Sequence, residues 1–540
     1  MTLPPPAADA RPARPLRWPV AGPSALALGA VTGLGFQPVG WWWATIIGFA
    51  GFVLLLRGAA ARRGFGLGYC YGLGYFGLTV WWVANFGWWA PVLLIAFLAC
   101  WAGLAGWVTG WTTSRGPATV AAAWFLVAAC AWTGSEWLAQ RVPFGGFCWS
   151  RFVYTTADQP LGGWLPVIGA GGVSFLVALT GAALAWLAAS TTWRRRLPPL
   201  ALAFALLLSG GLLRFWPAPA NDDGQLRVAM IQGDVDSTAD PFSMGYPRGV
   251  TAMHLGETIM ALATWRTSGT PLPDMILWPE NSTDTDPAYD MPTDNMVNDA
   301  SLLAGLPMLI GVISLGPGDD ERQTSALWWL PGQGPVARAD KRNLAPFGEF
   351  VPFYQILSKV VPMTQRVGRQ TVPGTGPGIL PVQLGDGTPL TIGNVICYEL
   401  AYDSTVYDTV RNGAQLITVQ SSNVSFFGTW QPAQQFAITR VRAMELRRWV
   451  TVATTSSLSG LIDPRGQVID VTDEATAAFR LYTVPLGSGV TPGVIIGPWL
   501  EGGVSALAGA GVLLGLITTL RRRLLARATR RAAEEQPTNS

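Results

Sequence analysis

The feature that most limits how this chain can fold is the recurrence of apolar runs about 20 residues long, the length a helix needs to cross ~30 Å of hydrocarbon. They fall at 19–36, 40–56, 66–85, 90–110, 118–138, 163–190 and 197–214, and once more at 498–519. Half-measures of composition agree: 50% of the residues are hydrophobic, 13% are charged and the mean hydropathy is +0.31. That is too apolar for an ordinary soluble protein. The expected fold class is a membrane protein with a bundle of about eight transmembrane helices and one large polar insert between the seventh and the eighth. Residues 1–17, rich in Pro, Ala and Arg, read as a disordered cytoplasmic tail. Residues 18–220 read as the helix bundle, 221–488 as the insert, 489–520 as the final transmembrane helix and 521–540 as a basic cytoplasmic tail. The first span shows no small-residue cleavage pattern and reads as a retained anchor.

Orientation follows from the arginines. Arg11, Arg14 and Arg17 precede the first span, and Arg57, Arg62 and Arg63 separate the second and third. Arg115 and the run Arg194, Arg195, Arg196 separate later pairs, and Arg521, Arg522, Arg523, Arg527, Arg530 and Arg531 follow the last. All these clusters share one side if seven spans precede the insert and one follows, and the positive-inside rule makes that side the cytoplasm. The insert then faces outward from a bacterial cytoplasmic membrane. Trp41 to Trp43, Trp81, Trp82, Trp88 and Trp89 suit interfacial belts. A net charge of +3, with arginines beside apolar spans, gives little support to nucleic-acid binding. Cys70, Cys100, Cys130 and Cys148 lie in or beside spans without paired metal-ligand spacing, so neither a disulfide scaffold nor a metal site is expected. The early spans hold almost no acids or bases, which weakens a transporter reading.

One loop departs from the charge bias. RVPFGGFCWSRFVYT, between the fifth and sixth spans, places Arg141 and Arg151 on the outward side. Contact with lipid phosphate and plain interfacial snorkelling both account for that.

Within the insert, short apolar runs alternate with Gly, Pro, Asp and Asn. Strands are expected at 226–232, 274–278, 308–314, 325–330, 390–396, 415–420 and 449–454, with a hairpin near Asp463 to Gly466. Helices fit 247–265, 290–304 and 431–447. This pattern alone supports a mixed α/β domain. After Lys341, the residues Phe347, Phe350, Phe353, Tyr354, Ile356, Leu357, Val360 and Val361 form an apolar stretch where no core strand is expected. Such a loop either dips into the outer leaflet and admits acyl chains or buries itself against the protein's own spans.

The chemistry concentrates at strand ends. GNVICYEL places Cys397 directly after a β-branched run, DMILWPEN places Glu280 after a short strand stopped by Pro279, and ARADKRNLAPFGEFVPF places Lys341 after a segment opening at Val336. A thiol attacks only as thiolate and needs a base or cation nearby. The single histidine, His254, lies in an expected helix, so carboxylate and lysine partners come first. Glu280 would be the general base. Lys341 would favour thiolate and, with the backbone N–H after Cys397, stabilise an oxyanion. Taken singly, a buried cysteine is usually an inert small hydrophobe and a Glu or Lys a solvated charge.

Together the three residues, in the order Glu280, Lys341, Cys397, resemble the nitrilase superfamily, as does the opening strand LRVAMIQGDV. WPEN, DKRNLAPFGEFVPF and GNVICYEL, with the apolar flanks, are similar to the corresponding motifs of the apolipoprotein N-acyltransferases, its membrane-embedded branch, over nearly the whole chain. The resemblance implies an extracytoplasmic α-β-β-α sandwich and a Glu-Lys-Cys triad. It adds Glu349, Tyr398 and Glu399 as supporting residues and leaves Arg141, Arg151, Asn423 and Phe427 as substrate-binding candidates. QSSNVSFFGTW keeps only the outline of the family's corresponding loop, and Gln434 and Gln435 stand where many relatives have a histidine. The implied reaction takes an acyl chain from a phospholipid, through a Cys397 thioester, to the amine of a diacylglyceryl-cysteine at a lipoprotein N-terminus, with no cofactor. The alternative is a membrane-tethered nitrilase-type amidohydrolase using the same residues.

Overall fold

The computed structural model describes residues 16–216, 223–235 and 246–534. Most of the expected N-terminal tail, the expected boundary at 220 and residues 535–540 lie outside the described residues. The apolar runs form α1 (Trp18–Gly33), α2 (Trp42–Leu56), α3 (Ala61–Thr79), α4 (Trp89–Arg115), the short α5 (Ala118–Ala122), α6 (Trp124–Ala139), α7 (Leu165–Ala189) and α8 (Trp193–Leu213). Small residues set how closely they pack. On α3, Gly64 and Gly68 abut α4 so tightly that a Cβ would lie 2.2 Å from the carbonyl oxygens of Gly106 and Ala102 respectively. Only glycine allows that approach, as in small-xxx-small helix pairs.

Two expected spans differ in outline. The run 118–138 breaks at Ala123, where the backbone leaves helical geometry (φ −89°, ψ 27°). The run 66–85 ends at Thr79, and Trp81–Phe86 form a separate 3-10 turn. Among the described residues, four helical segments are long and apolar enough to cross a membrane: Trp89–Arg115, Pro160–Ala189, Trp193–Leu213 and Pro492–Arg531. That is fewer than the eight expected. α1 and α6 have 16 residues each and α2 has 15, short of the ~20 that span the hydrocarbon, while α3 opens with Arg62 and Arg63.

The insert runs β1 (Gln225–Gln232), α9 (Gly249–Ser268), β2 (Met275–Leu277), α10 (Met291–Ala304), β3 (Met308–Leu315), β4 (Glu321–Leu330) and β5 (Gly334–Asp340). It continues through α11 (Tyr354–Val360), β6 (Gln370–Thr371), β7 (Ile379–Gln383), β8 (Pro389–Ile396), α12 (Asp403–Arg411), β9 (Leu416–Ser421) and α13 (Gln431–Leu446). β10 (Val450–Thr454), β11 (Gly460–Ile462), β12 (Val468–Val471) and β13 (Ala478–Pro485) complete it before α14 (Pro492–Glu534). The expected tail from 521 is therefore helical as far as Glu534, continuing the last apolar helix without a break.

The strands make two sheets, ordered β13-β1-β2-β3-β4-β5, with β6 beside β4, and β12-β11-β10-β9-β8-β7. Alternation along each strand explains how they stack. In β1, Leu226, Val228 and Met230 face the other sheet's Leu390, Ile392 and Ile396. The intervening Ala229 and Ile231 pack under Leu262, Trp265 and Val297 of α9 and α10. On the outer face of the second sheet, Val395, Ile417 and Val419 meet Val441 and Met444 of α13 in a core continuous with Trp149, Phe152 and Val173 of the helix bundle. The insert is thus a four-layer helix-sheet-sheet-helix sandwich, and its α12/α13 layer is seated on the bundle.

Candidate active site

Each of the three chemistry-bearing residues sits where a strand ends. Lys341 follows β5 directly, Cys397 follows β8 directly, and Glu280 lies just beyond β2. β2 and β5 belong to one sheet and β8 to the other, so the site closes across the sandwich at one end. The Lys341 Nζ lies 3.0 Å from Glu280 Oε1 and 2.9 Å from Glu349 Oε1. Glu280 is fixed in turn: its Oε2 accepts from the Ser422 N–H at 2.9 Å, and its carbonyl accepts from the Thr455 hydroxyl at 3.1 Å. The other Glu349 oxygen accepts from the Ala345 N–H at 2.8 Å. Strand-end loops after β9 and β10 therefore hold Glu280, and the loop after Lys341 holds the second carboxylate.

Cys397 opens a one-turn 3-10 helix, Cys397–Ala401, with φ +52°. A left-handed backbone at a non-glycine residue is strained and persists only where its surroundings impose it. Glu399 supplies part of that constraint. It accepts from the Ile396 N–H at 3.1 Å and from the Arg342 and Asn343 N–H groups at 2.7 and 2.9 Å, stitching the Cys397 turn to the chain just after Lys341. Burial raises the pKa of the Glu399 carboxyl, against those three donors and Lys341.

The charge pattern defines the resting state. Burial draws the Lys341 pKa down, but Glu280, Glu349 and Cys397 outweigh it and hold the ammonium well above its usual range. Burial, then the Glu280 charge, push the Cys397 thiol above its usual range despite Lys341. Cys397 accordingly rests as a thiol rather than a thiolate. It follows that alkylation of Cys397 by iodoacetamide, followed by peptide mass spectrometry across pH, should still be rising at pH 9, beyond the midpoint of about 8.5 for a free thiol. A plateau below pH 8 would contradict this charge arrangement.

The supporting candidates divide. The Tyr398 ring stacks on Trp149 at 5.9 Å, and its hydroxyl accepts from the Cys148 N–H at 3.3 Å, so it joins the Cys397 turn to the bundle loop. Asn423 is buried, and its Oδ1 accepts weakly from Gln431 at 3.4 Å. Phe427 is exposed. Arg141 stays at the surface, over the Trp137 ring at 4.5 Å and 3.6 Å from Glu501. Arg151 corrects the sequence expectation: it is 2% exposed and spends its guanidinium on Asp403 at 2.7 Å and Glu501 at 3.0 Å, leaving no face for a lipid phosphate. His254 Nδ1–H donates to Val250 O at 2.8 Å within α9, and the ring lies against Trp278. Burial lowers its pKa to about 4, so it is a neutral core residue rather than a partner for Cys397.

The site's surroundings are apolar on one side. Phe347, Phe353 and Ile356 are exposed after Lys341, and Phe353 meets the exposed Phe144 of the bundle loop edge-on at 5.6 Å. Trp82 is no simple interfacial anchor. It and Trp149 donate to Gln434 Oε1 at 3.1 and 2.7 Å, and Trp82 packs edge-on against Phe426 at 5.2 Å. Gln434 thus serves as a double acceptor clasping bundle to sandwich.

Sequence reasoning missed the acidic and basic residues behind the Cys397 turn: Asp403, Arg442, Glu445 and Glu501. Two signals pointed to them, the acid Glu501 within the last apolar run and the RVRAMEL pattern on an otherwise buried helix.

Comparison with known proteins places these features in context. Residues 28–183 match the family described as apolipoprotein N-acyltransferase N-terminal domain, and residues 310–488 match carbon-nitrogen hydrolase. The chain is 31% identical over 517 residues to a protein of Mycolicibacterium smegmatis named apolipoprotein N-acyltransferase, covering 91% of this chain and 84% of that one. It is 27% identical over 496 residues to a protein of the same name from Vibrio parahaemolyticus, covering 87% and 92%. Among solved structures, a mutant of the Nesterenkonia AN1 amidase from the nitrilase superfamily aligns at 15% identity with a TM-score of 0.34, over 50% of this chain and 93% of that one.

Proposed function

The chain belongs to the apolipoprotein N-acyltransferase family, and on that premise we propose that Glu280, Lys341 and Cys397 are its catalytic triad. The observation that carries the reading is the buried ammonium of Lys341 held between two carboxylates, with the Cys397 thiol within the field of all three charges. In the first half-reaction, Cys397 Sγ attacks the ester carbonyl carbon of a phospholipid while Glu280 takes the thiol proton. Lys341 and the Tyr398 N–H face the oxyanion. Collapse breaks the ester C–O bond, Glu280 returns its proton to the departing alkoxide, and a lysophospholipid leaves a thioacyl-enzyme. In the second half-reaction, the amine of a diacylglyceryl-cysteine attacks the thioester, Glu280 takes an amine proton, the C–N bond forms and the C–S bond breaks. The thiolate then recovers its proton.

Both substrates are lipids, which gives the helices a role. We place about eight helices in the cytoplasmic membrane with the sandwich outward, the arginine clusters inside, and the exposed Phe347, Phe353 and Ile356 at the outer leaflet. An acyl chain entering between that loop and Phe144 would exclude water from the thioester, and Arg141, still at the surface, is the residue left to meet a phosphate.

The test is intact-protein and peptide mass spectrometry of the detergent-purified protein after incubation with phospholipid. A hydroxylamine-labile acyl mass on the Cys397 peptide, discharged by a diacylglyceryl-cysteine peptide, is expected. No adduct, with ammonia released from small amides, would replace this reading with a tethered amidohydrolase.

A further inference from the structure

Behind the nucleophile turn lies a chain of buried ions that the reaction above does not use. Arg442 of α13 donates from Nε to Leu400 O at 2.8 Å and from Nη2 to Ala401 O at 3.0 Å. Those are the last two carbonyls of the turn that begins at Cys397, and Ala401 O also accepts from the Tyr154 hydroxyl at 2.9 Å. The same guanidinium pairs with Asp403 at 2.7 Å and Glu445 at 2.6 Å. Asp403 Oδ1 is shared with Arg151 of the bundle loop, whose other nitrogen reaches Glu501 of α14 at 3.0 Å. Glu501 is held further by Gln140 at 3.2 Å. Glu445 in turn accepts from the Ala170 N–H, freed where α7 breaks at Gly169 (φ 70°).

Four elements thus converge on the back of one turn: α7, α14, the bundle loop and α13. As a source of stability the arrangement is inefficient, because desolvating several ions offsets most of their attraction, and apolar side chains of similar volume would serve as well. What alternating charges supply and apolar packing does not is register, since a shift of about 1 Å breaks directional bonds. We propose that Arg442 is a positioning residue for Cys397, keeping the nucleophile turn in register with the final helix through Asp403, Arg151 and Glu501. The inference rests on Cys397 being the acylated nucleophile. Glu399 fixes the turn from the sandwich side and Arg442 from the bundle side, so the strained backbone at Cys397 is clamped at both ends.

The test is a double-mutant cycle on the full-length protein in detergent with Arg442→Lys, Glu501→Gln and the pair. Two rates are read at Cys397: alkylation by iodoacetamide, which needs no lipid, and single-turnover acylation by phospholipid. Each single change is expected to shift alkylation severalfold and to lower the acylation rate constant about tenfold, with half-saturation unchanged, since small misplacements of reacting groups cost up to about 10²-fold. The pair should be no worse than Arg442→Lys alone. Wild-type alkylation by Glu501→Gln, or single effects that multiply, would overturn the coupling. If Arg442→Lys does not fold, Asp403→Asn replaces it in the same cycle. If the wild type forms no acyl adduct, the catalytic reading fails, and the alkylation cycle still decides the register.

Discussion

Cys397→Ala should abolish the acyl adduct and lower lipoprotein N-acylation by on the order of 10⁵-fold, the usual scale for deleting a covalent nucleophile. Cys397→Ser should be nearly as inactive. A hydroxyl at that position is far harder to deprotonate than a thiol, and Glu280 is already engaged in an ion pair with Lys341 at 3.0 Å. Stability should move the other way or not at all. Cys397 combines a strained φ of +52° with a thiol that burial and the Glu280 charge hold protonated, and removing a functional group from such a site commonly leaves stability unchanged or higher by up to about 1 kcal/mol. Thermal unfolding of the alanine variant at or above the wild-type midpoint, alongside an absent adduct, is the expected pair of results. A variant that melts well below wild type would mean that Cys397 is a packing residue.

How much of this was legible in the sequence depends on the range of the interaction. The strand ends at Glu280, Lys341 and Cys397 were readable because an apolar β-branched run followed by a polar residue is a local pattern. The structure puts all three at those ends. The helix positions were readable for the same reason, since hydropathy is a property of the run itself. Arg151 was misread because its partners, Asp403 and Glu501, are distant in sequence, and an arginine in a loop looks the same whether it faces lipid or a buried carboxylate. β7 and β13 were missed because neither is a strong apolar run: their alternating exposure reflects pairing at sheet edges with β8 and β1. α12 was overlooked because its nine residues carry Asp403, Asp408 and Arg411 and read as a polar loop. Its function is to carry Asp403 to Arg442, and such a role is set by tertiary placement.

Lys341→Met tests whether the ammonium holds the site together as well as serving the reaction. Its removal leaves Glu280 and Glu349, which now share one buried cation at 3.0 and 2.9 Å, as uncompensated neighbours. Breaking a buried ion pair from one side costs about 3–5 kcal/mol. The site can recover part of this by binding a proton between the two carboxylates. That proton disables Glu280 as a base, so thioester formation should fall by about 10³-fold or more. The sign of the pH dependence follows. A carboxyl whose folded pKa is raised above its unfolded value of about 4.3 favours the folded state at low pH and loses that contribution as pH rises through the raised pKa. The variant's melting point should therefore drop between pH 5.5 and pH 8 relative to wild type, whose Lys341 remains charged throughout. Adding Glu349→Gln to Lys341→Met removes the second carboxylate and should restore much of the stability at pH 8 while leaving acylation absent. Recovery of both would show Lys341 to be a structural counter-ion only. Recovery of stability alone separates its two roles: neutralising Glu349 at rest, and meeting the oxyanion during transfer.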